Sequence, residues 1–332
     1  MSAGVPATLV VRAPNWLGDT VMAQPALAGL REAMPDATIT VIGRWASLLR
    51  GQGIANALLG YPASPARRRF ARALAGAQPD LALVLPNSFE AARAARHWGA
   101  RRRVGFDTDA RGLYLTDRVP LPEPRRHQID EYRLLIEALG VTTAPSEPRL
   151  RVPDDAAAEA EVDTLLDGGA HGRGPIGLHL GAASGSAKRW TPAGWAALAD
   201  RLHALGLPVV LLGGPGDAAV AEAVLELAAT APRSLVGRDR PALLTHLLPR
   251  LRGLVSADTG VAHLAAALGV VTVTLFGPTD PRLTAPRSAR ARVVAPGAPC
   301  APCFLDVCPI DHICMRAIDA EAVATVAREA VA

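Results

Sequence analysis

A chain of 332 residues, half of them hydrophobic and a fifth charged, suits two globular domains with sizeable cores. Aromatic residues make up only 4%, so those cores are built from Ala, Val and Leu, and no apolar run approaches the ~20 residues of a membrane helix. The net charge of +4 is unevenly placed: residues 1–150 hold 19 arginines against 13 acids, a net +6, and the rest carries −2. A basic first half fits an anionic partner, and equally well the solvated surface of an Arg-rich protein. The opening MSAGVPATLVVRAPNW lacks a charged leader region and runs straight into a strand-like pattern. That argues against a secretory signal and for a cytoplasmic protein.

In chain order, residues 7–13 (ATLVVRA) predict a buried strand, 19–34 an apolar-periodic helix and 38–42 (TITVI) the next strand. Residues 81–85 predict a further strand and 88–98 a helix, and a Pro- and Arg-rich stretch leads into a helix over 129–139. The Pro-rich segment 142–153 reads as a connection. An acidic helix over 154–167 and the break GGAHGRGP follow, which places the boundary near residue 170 and the domains at 1–168 and 169–332. A second alternating unit begins with strand 176–180 (IGLHL) and helix 192–205. Strand 209–212, helices 218–229 and 241–251, strand 253–256, helix 261–268 and strand 270–276 complete it. Alternation of this kind gives parallel sheets covered on both faces, an α/β class of two Rossmann-like, doubly wound domains. Such sheets take ligands beyond the carboxyl ends of their strands, and two of them facing each other would form a cleft.

Five segments stand where that rule puts chemistry. In RAPNWLGDT (12–20), Gly18 allows a tight turn and Asp19 begins a helix. From the residues alone an N-cap is the better account of Asp19, and a general base for an acceptor hydroxyl is the alternative. The absence of G-x-G-x-x-G before this helix speaks against a nicotinamide enzyme. In GAASGSAKRWTP (181–192), small residues including Ser186 let the backbone approach a ligand, and Lys188 and Arg189 supply charge. Thr191 and Pro192 start a helix as N-cap and first residue. Lys188 is the only lysine among 35 basic residues. A drift toward Arg spares Lys where a compact ammonium is needed, so a diphosphate site is favoured over an exposed loop. In SADTGVAH (256–263), amides of Thr259, Gly260 and Val261 can cradle phosphate. The plainer alternative makes Asp258 an N-cap and His263 a packed side chain. In LGGPGD (212–217), Asp217 is a ribose ligand or part of a turn. FGPTDP (276–281) is a rigid turn near the same rim.

All four cysteines fall in one stretch, Cys300, Cys303, Cys308 and Cys314, spaced C-x2-C-x4-C-x5-C with His312 inside. In a reducing compartment this reads as a structural zinc site before an iron–sulfur cluster, with a reduced, unliganded loop as the alternative.

RAPNWLGDTVMAQPAL, GAASGSAKRW, SADTGVAHLAAALGV and LFGPTDP together resemble glycosyltransferase family 9, most closely its lipopolysaccharide heptosyltransferase II branch, over nearly the whole chain. The resemblance implies the GT-B fold and an inverting, metal-independent transfer of heptose from ADP-heptose to the first heptose of a Kdo–lipid A core. It implies Asp19 as the base, which reverses the odds set by the residues alone. Gly18, Ser186, Lys188, Asp217, Asp258, Thr259, Gly260 and His263 would be the ADP-sugar set. CAPCFLDVCPIDHICM resembles a tail of some members, so the cysteines would be structural and no cofactor would serve catalysis. The implied partners are the donor, the lipid-linked acceptor and the cytoplasmic face of the inner membrane, where the arginines would meet anions; no nucleic acid is expected. A sister enzyme with another acceptor and a non-catalytic nucleotide-sugar binder are the competing readings.

Overall fold

The computed structural model describes residues 6–144, 146–168, 172–183, 185–238 and 240–332. These fall into two compact units, one ending at Pro148 and the other starting at Arg149. Residues 169–171 of the glycine-rich break and Ser184 of the lysine loop lie outside the described residues.

The first unit runs β1 (Thr8–Arg12), α1 (Leu17–Met22), α2 (Gln24–Ala33), β2 (Thr38–Ile42), β3 (Ala57–Leu59), α3 (Arg67–Gly76) and β4 (Leu81–Val84). It continues through α4 (Phe89–His97), β5 (Arg102–Phe106), β6 (Asp117–Val119) and α5 (Gln128–Glu137). Its six strands pair in parallel in the order β3-β2-β1-β4-β5-β6. A parallel sheet carries crossover helices on its faces, so its inner strands are apolar on both sides. Leu9, Val11, Ile39, Val41 and Leu83 are accordingly buried. The strand order reverses between β1 and β4, and the turn after β1 therefore stands at the switch point where doubly wound sheets take ligands. The single helix expected over 19–34 is two, α1 and α2, broken at Ala23. Pro25 has no N–H for the Val21 carbonyl and its ring crowds the preceding turn.

The second unit holds α6 (Ala156–Leu165), β7 (Ile176–His179), α7 (Pro192–Ala204), β8 (Val209–Leu212), α8 (Ala218–Leu227), β9 (Arg233–Ser234), α9 (Pro241–Leu247) and β10 (Gly253–Ala257). It then holds α10 (Gly260–Ala267), β11 (Thr272–Leu275), α11 (Pro281–Thr284), β12 (Ala291–Val294), α12 (Ile313–Arg316) and α13 (Ala320–Val331). Six parallel strands lie in the order β12-β11-β10-β7-β8-β9, reversing between β7 and β10. The division falls some twenty residues before the boundary expected near 170, because α6 packs into the second unit. Its Val162 is buried, Glu161 pairs with Arg240, Asp163 with Arg250, and Asp167 just beyond it with Arg233. The helix expected over 241–251 stops at Leu247 and tightens into a 3-10 turn at Leu248–Arg250, where Pro249 cannot donate to the Thr245 carbonyl.

In the core of this unit, α7 sets Trp195 edge-on against Trp190, ring centres 5.0 Å apart. Leu178, Leu211, Val255, Met315 and Val323 belong to the same cluster. Trp195 thereby anchors the chain two residues beyond Lys188. Trp195→Ala is expected to cost about 4 kcal/mol, read as a lowered midpoint of the second unit's urea transition; an unchanged midpoint rejects this packing role.

In the first unit, Asp80 ties the start of β4 to the start of β1, accepting from the Thr8 amide at 3.0 Å and its hydroxyl at 2.9 Å. These bonds, the backbone one foremost, hold the Asp80 carboxyl below its ordinary value. A lowered folded-state pKa gives stability that is present above the ordinary carboxylate pKa of about 4 and lost as pH falls through the folded value. Asp80→Asn is expected to cost about 1 kcal/mol at neutral pH. The gap from wild type should close in acid, and a gap independent of pH would count against the assignment.

Candidate functional site

In the second unit β7 and β10 are neighbours in register, His179 opposite Ser256. The loop leaving β7 and the turn leaving β10 therefore emerge side by side at the carboxyl edge of the sheet. There the Lys188 ammonium donates to Asp258 Oδ2 at 2.8 Å and lies 3.4 Å from the Asp258 carbonyl. Thr279, in the turn after β11, donates its hydroxyl to the same Oδ2 at 2.8 Å. The Asp258 side chain is 7% exposed and that of Lys188 is 19% exposed, so the pair is largely shielded and still reachable.

The N-cap of α10 is Thr259, in extended conformation and with no side-chain capping bond. Its hydroxyl meets Ser256 Oγ at 3.0 Å instead. Asp258 is thus not the N-cap of the plainer alternative; its carboxylate is committed to Lys188 and Thr279. The first amides of α10, from Gly260 on, form the positive end of the helix dipole. A compact ammonium beside an uncapped helix start is chemistry for an oxyanion, and for phosphate above all.

His263 is buried in the second turn of α10. Ser186 is exposed and opens the 3-10 turn Ser186–Lys188. Thr191 caps α7 by accepting from the Gly194 amide at 3.0 Å, with Pro192 first in the helix, as expected. Asp217 is buried, accepts from the Gly214 amide at 2.9 Å and pairs with Arg189 at 3.2 Å. It sits under Gly181, where a Cβ would come within 2.3 Å of its Oδ2. The carboxylate serves its own turn and the lysine loop. Thr279 carried no assigned role in the sequence; a threonine in a Gly-Pro turn gives no sign of the carboxylate it will meet.

In the first unit, Asp19 is the third residue of α1, whose N-cap is Trp16 with no side-chain capping bond. Asp19 is therefore not an N-cap either. It is half-buried, and with burial the larger cause, its charge helps raise the phenol of Tyr132 on α5 well above the ordinary value. The loop leading to it is fixed from two sides. Fully buried Arg12 donates to the Ala13 carbonyl and to Asn15 Oδ1 at 2.7 Å, and Trp45 Nε1 donates to the Asn15 carbonyl at 2.9 Å. The Arg12 guanidinium lies 4.0 Å from the Tyr61 ring centre and 3.9 Å from Glu90, and burial lowers its pKa. Burial, then the hydrogen bond to Glu90, pushes the Tyr61 phenol up to about 12.

Among the described residues no three or more His, Cys, Asp or Glu side chains are gathered as a metal site, and the zinc expectation is not confirmed. Cys300 is exposed, Cys303 and Cys308 are half-buried, and Cys314 is buried. Its Sγ lies against Gly277, and its thiol pKa is raised, by burial first and also by the neighbouring Cys300 and Cys303.

Residues 67–314 match the family described as Glycosyltransferase family 9 (heptosyltransferase). Lipopolysaccharide heptosyltransferase 2 of Escherichia coli K12 is 31% identical over 303 residues, 86% of this chain and 87% of that protein. The structure of E. coli ADP-heptose lps heptosyltransferase II superposes with a TM-score of 0.81 at 25% identity, covering 98% of each chain. A family 9 glycosyl transferase of Veillonella parvula has the same fold, with a TM-score of 0.82 at 22% identity over 98% of this chain and 97% of its own. This chain belongs to glycosyltransferase family 9, the heptosyltransferases, and is a glycosyltransferase of the GT-B fold.

Proposed function

We propose that this glycosyltransferase moves L-glycero-D-manno-heptose from ADP-heptose to the heptosyl-Kdo2–lipid A inner core, with inversion and without a cofactor. The observation that carries the reading is the Lys188–Asp258 pair beside the uncapped start of α10. It stands in a chain 31% identical to a protein named lipopolysaccharide heptosyltransferase 2. Cleavage of the sugar–phosphate bond leaves charge on the β-phosphate of ADP. Lys188 and the amides of Thr259 and Gly260 stabilise that charge where it forms. The acceptor hydroxyl attacks an oxocarbenium-like sugar from the face opposite ADP, and Asp19 takes its proton. Arg12, Asn15 and Trp45 keep the loop before Asp19 rigid for this role.

The second unit is the donor side and the first the acceptor side. Arg102 and Arg103 are engaged within the first unit, with Asp117 and with the carbonyls of Ala100 and Tyr114. The exposed Arg68, Arg69, Arg93 and Arg96 are the residues that meet Kdo carboxylates, lipid A phosphates and the anionic cytoplasmic leaflet. Among the described residues no helix is long and apolar enough to cross a membrane, and the contact proposed is peripheral.

Incubated with ADP-heptose and mono-heptosylated Kdo2–lipid A, the enzyme is expected to add one heptose, read by mass spectrometry. Asp19→Ala should lower the rate by about 10²–10⁴-fold. Wild-type turnover only on another acceptor would replace the acceptor, and a fully active Asp19→Ala would remove the base.

Lys188→Arg keeps the charge and loses the compact ammonium, so it should not rescue Lys188→Ala. Both are expected to lower kcat/KM for the donor by about 10²-fold. A wild-type value for the arginine variant would mean that any cation suffices there.

A further inference from the structure

The Cys-rich segment between β12 and α12 is left over by this mechanism, yet its backbone is bonded both to the turn that carries Lys188 and to the turn that carries Thr279. The Asp306 carbonyl accepts from the Ala187 amide at 3.0 Å, inside the Ser186–Lys188 turn. The Cys303 and Phe304 amides donate to the Pro278 carbonyl at 3.0 and 2.8 Å, next to Thr279. Residues 303–306 thus join the lysine turn to the threonine turn. Lys188 and Thr279 converge on Asp258 Oδ2 from the other side, which closes a ring through backbone and side chains.

Two features show that the closeness is built in. Gly185 has φ +106, and a Cβ there would fall 2.2 Å from the Asp306 carbonyl oxygen, so the approach requires glycine on both counts. Gly277 is packed beneath Met315 Sδ and Cys314 Sγ, which would lie 2.4 and 3.1 Å from an added Cβ. The end of the segment therefore presses on the same turn that its middle bonds. Phe304 holds a left-handed backbone at φ 56, with its side chain 56% exposed. Its conformation serves the amide bond to Pro278 and not burial of the ring.

We propose that residues 303–306 are a positioning strap for Lys188, setting the ammonium against Asp258 through the Asp306 carbonyl and through Pro278–Thr279. The strap touches no reacting atom; it fixes the direction and distance of the one lysine. Its functional meaning rests on the reading of Lys188 as the donor-phosphate cation, whereas its geometry does not.

Because Lys188 is the only lysine, its accessibility can be read without ligand. The intact protein is pulsed with an N-hydroxysuccinimide ester, digested, and the Lys188 peptide quantified by mass spectrometry over time. Gly185→Ala, which must part the turn from Asp306, should speed labelling by a factor of about two to five, the range expected for one lost ion pair. Thr279→Val should do the same and Thr279→Ser should restore the slow rate, which a merely structural role for the turn would not require. In transfer assays Gly185→Ala should raise the donor KM more than it lowers kcat. If Gly185→Ala does not fold, the Thr279 pair decides. Wild-type labelling rates in the folded variants would overturn the strap. Failure of ADP to slow Lys188 labelling in the wild type would overturn the donor reading instead, leaving the response of the variants intact.

Discussion

The parallel pairing of β7 with β10 is the constraint on which the Lys188–Asp258 site depends. These strands lie more than seventy residues apart and meet at the point where the order of the sheet reverses. Once His179 stands opposite Ser256, the loop with Lys188 and the start of α10 have no choice but to leave the sheet together. β11, on the far side of β10, brings the turn with Thr279 to the same edge. Lys188, Asp258 and Thr279 are then brought together at the ends of three adjacent strands that are buried along their whole length.

Within that frame Asp258 has two partners and one carboxylate. A shielded ion pair of this kind contributes little net stability, since desolvation offsets most of the attraction. What it supplies is a defined ammonium position before any ligand arrives. On the proposed reading, an incoming diphosphate would bring its own oxygens to Lys188 and exchange one anionic partner for another, so the cation would never be stripped of a counter-charge. Thr279 keeps Asp258 in place through such an exchange, because its hydroxyl bond to Oδ2 does not depend on the lysine.

Much of the fold was legible because parallel strands buried on both faces are short runs of Val, Leu and Ile, and the helices between them carry an apolar period. β5 was not, because Arg102 and Arg103 open it, their head groups turned to Asp117 and to nearby carbonyls. β3 is three residues long, and α3 buries no residue fully. Pro25 and Pro249 ended helices that hydrophobic periodicity alone would carry on, and α6 joins the second unit, where its charges find partners. At the site, Lys188 was legible from its rarity, and the helix start at Thr259 from its small residues. The partner of Asp258 was not, for a capping aspartate and an ion-pairing one read alike until the fold sets a lysine beside it. The same holds for Asp217, claimed by its own turn and Arg189. The Asp306 carbonyl left no trace in the sequence, since a backbone acceptor belongs to every residue.

The near-complete replacement of lysine by arginine has a consequence for the basic surface of the first unit. A guanidinium at the surface stays charged across the whole physiological range, and arginine cannot be silenced by acetylation as lysine can. The exposed arginines of α3 and α4 therefore present a charge that neither acidity nor amine chemistry can switch. What remains to tune it is the ionic atmosphere, whose screening length is about 8 Å at physiological salt. That surface attracts anions at short range and at all times, so any timing in the catalytic cycle has to come from elsewhere in the molecule.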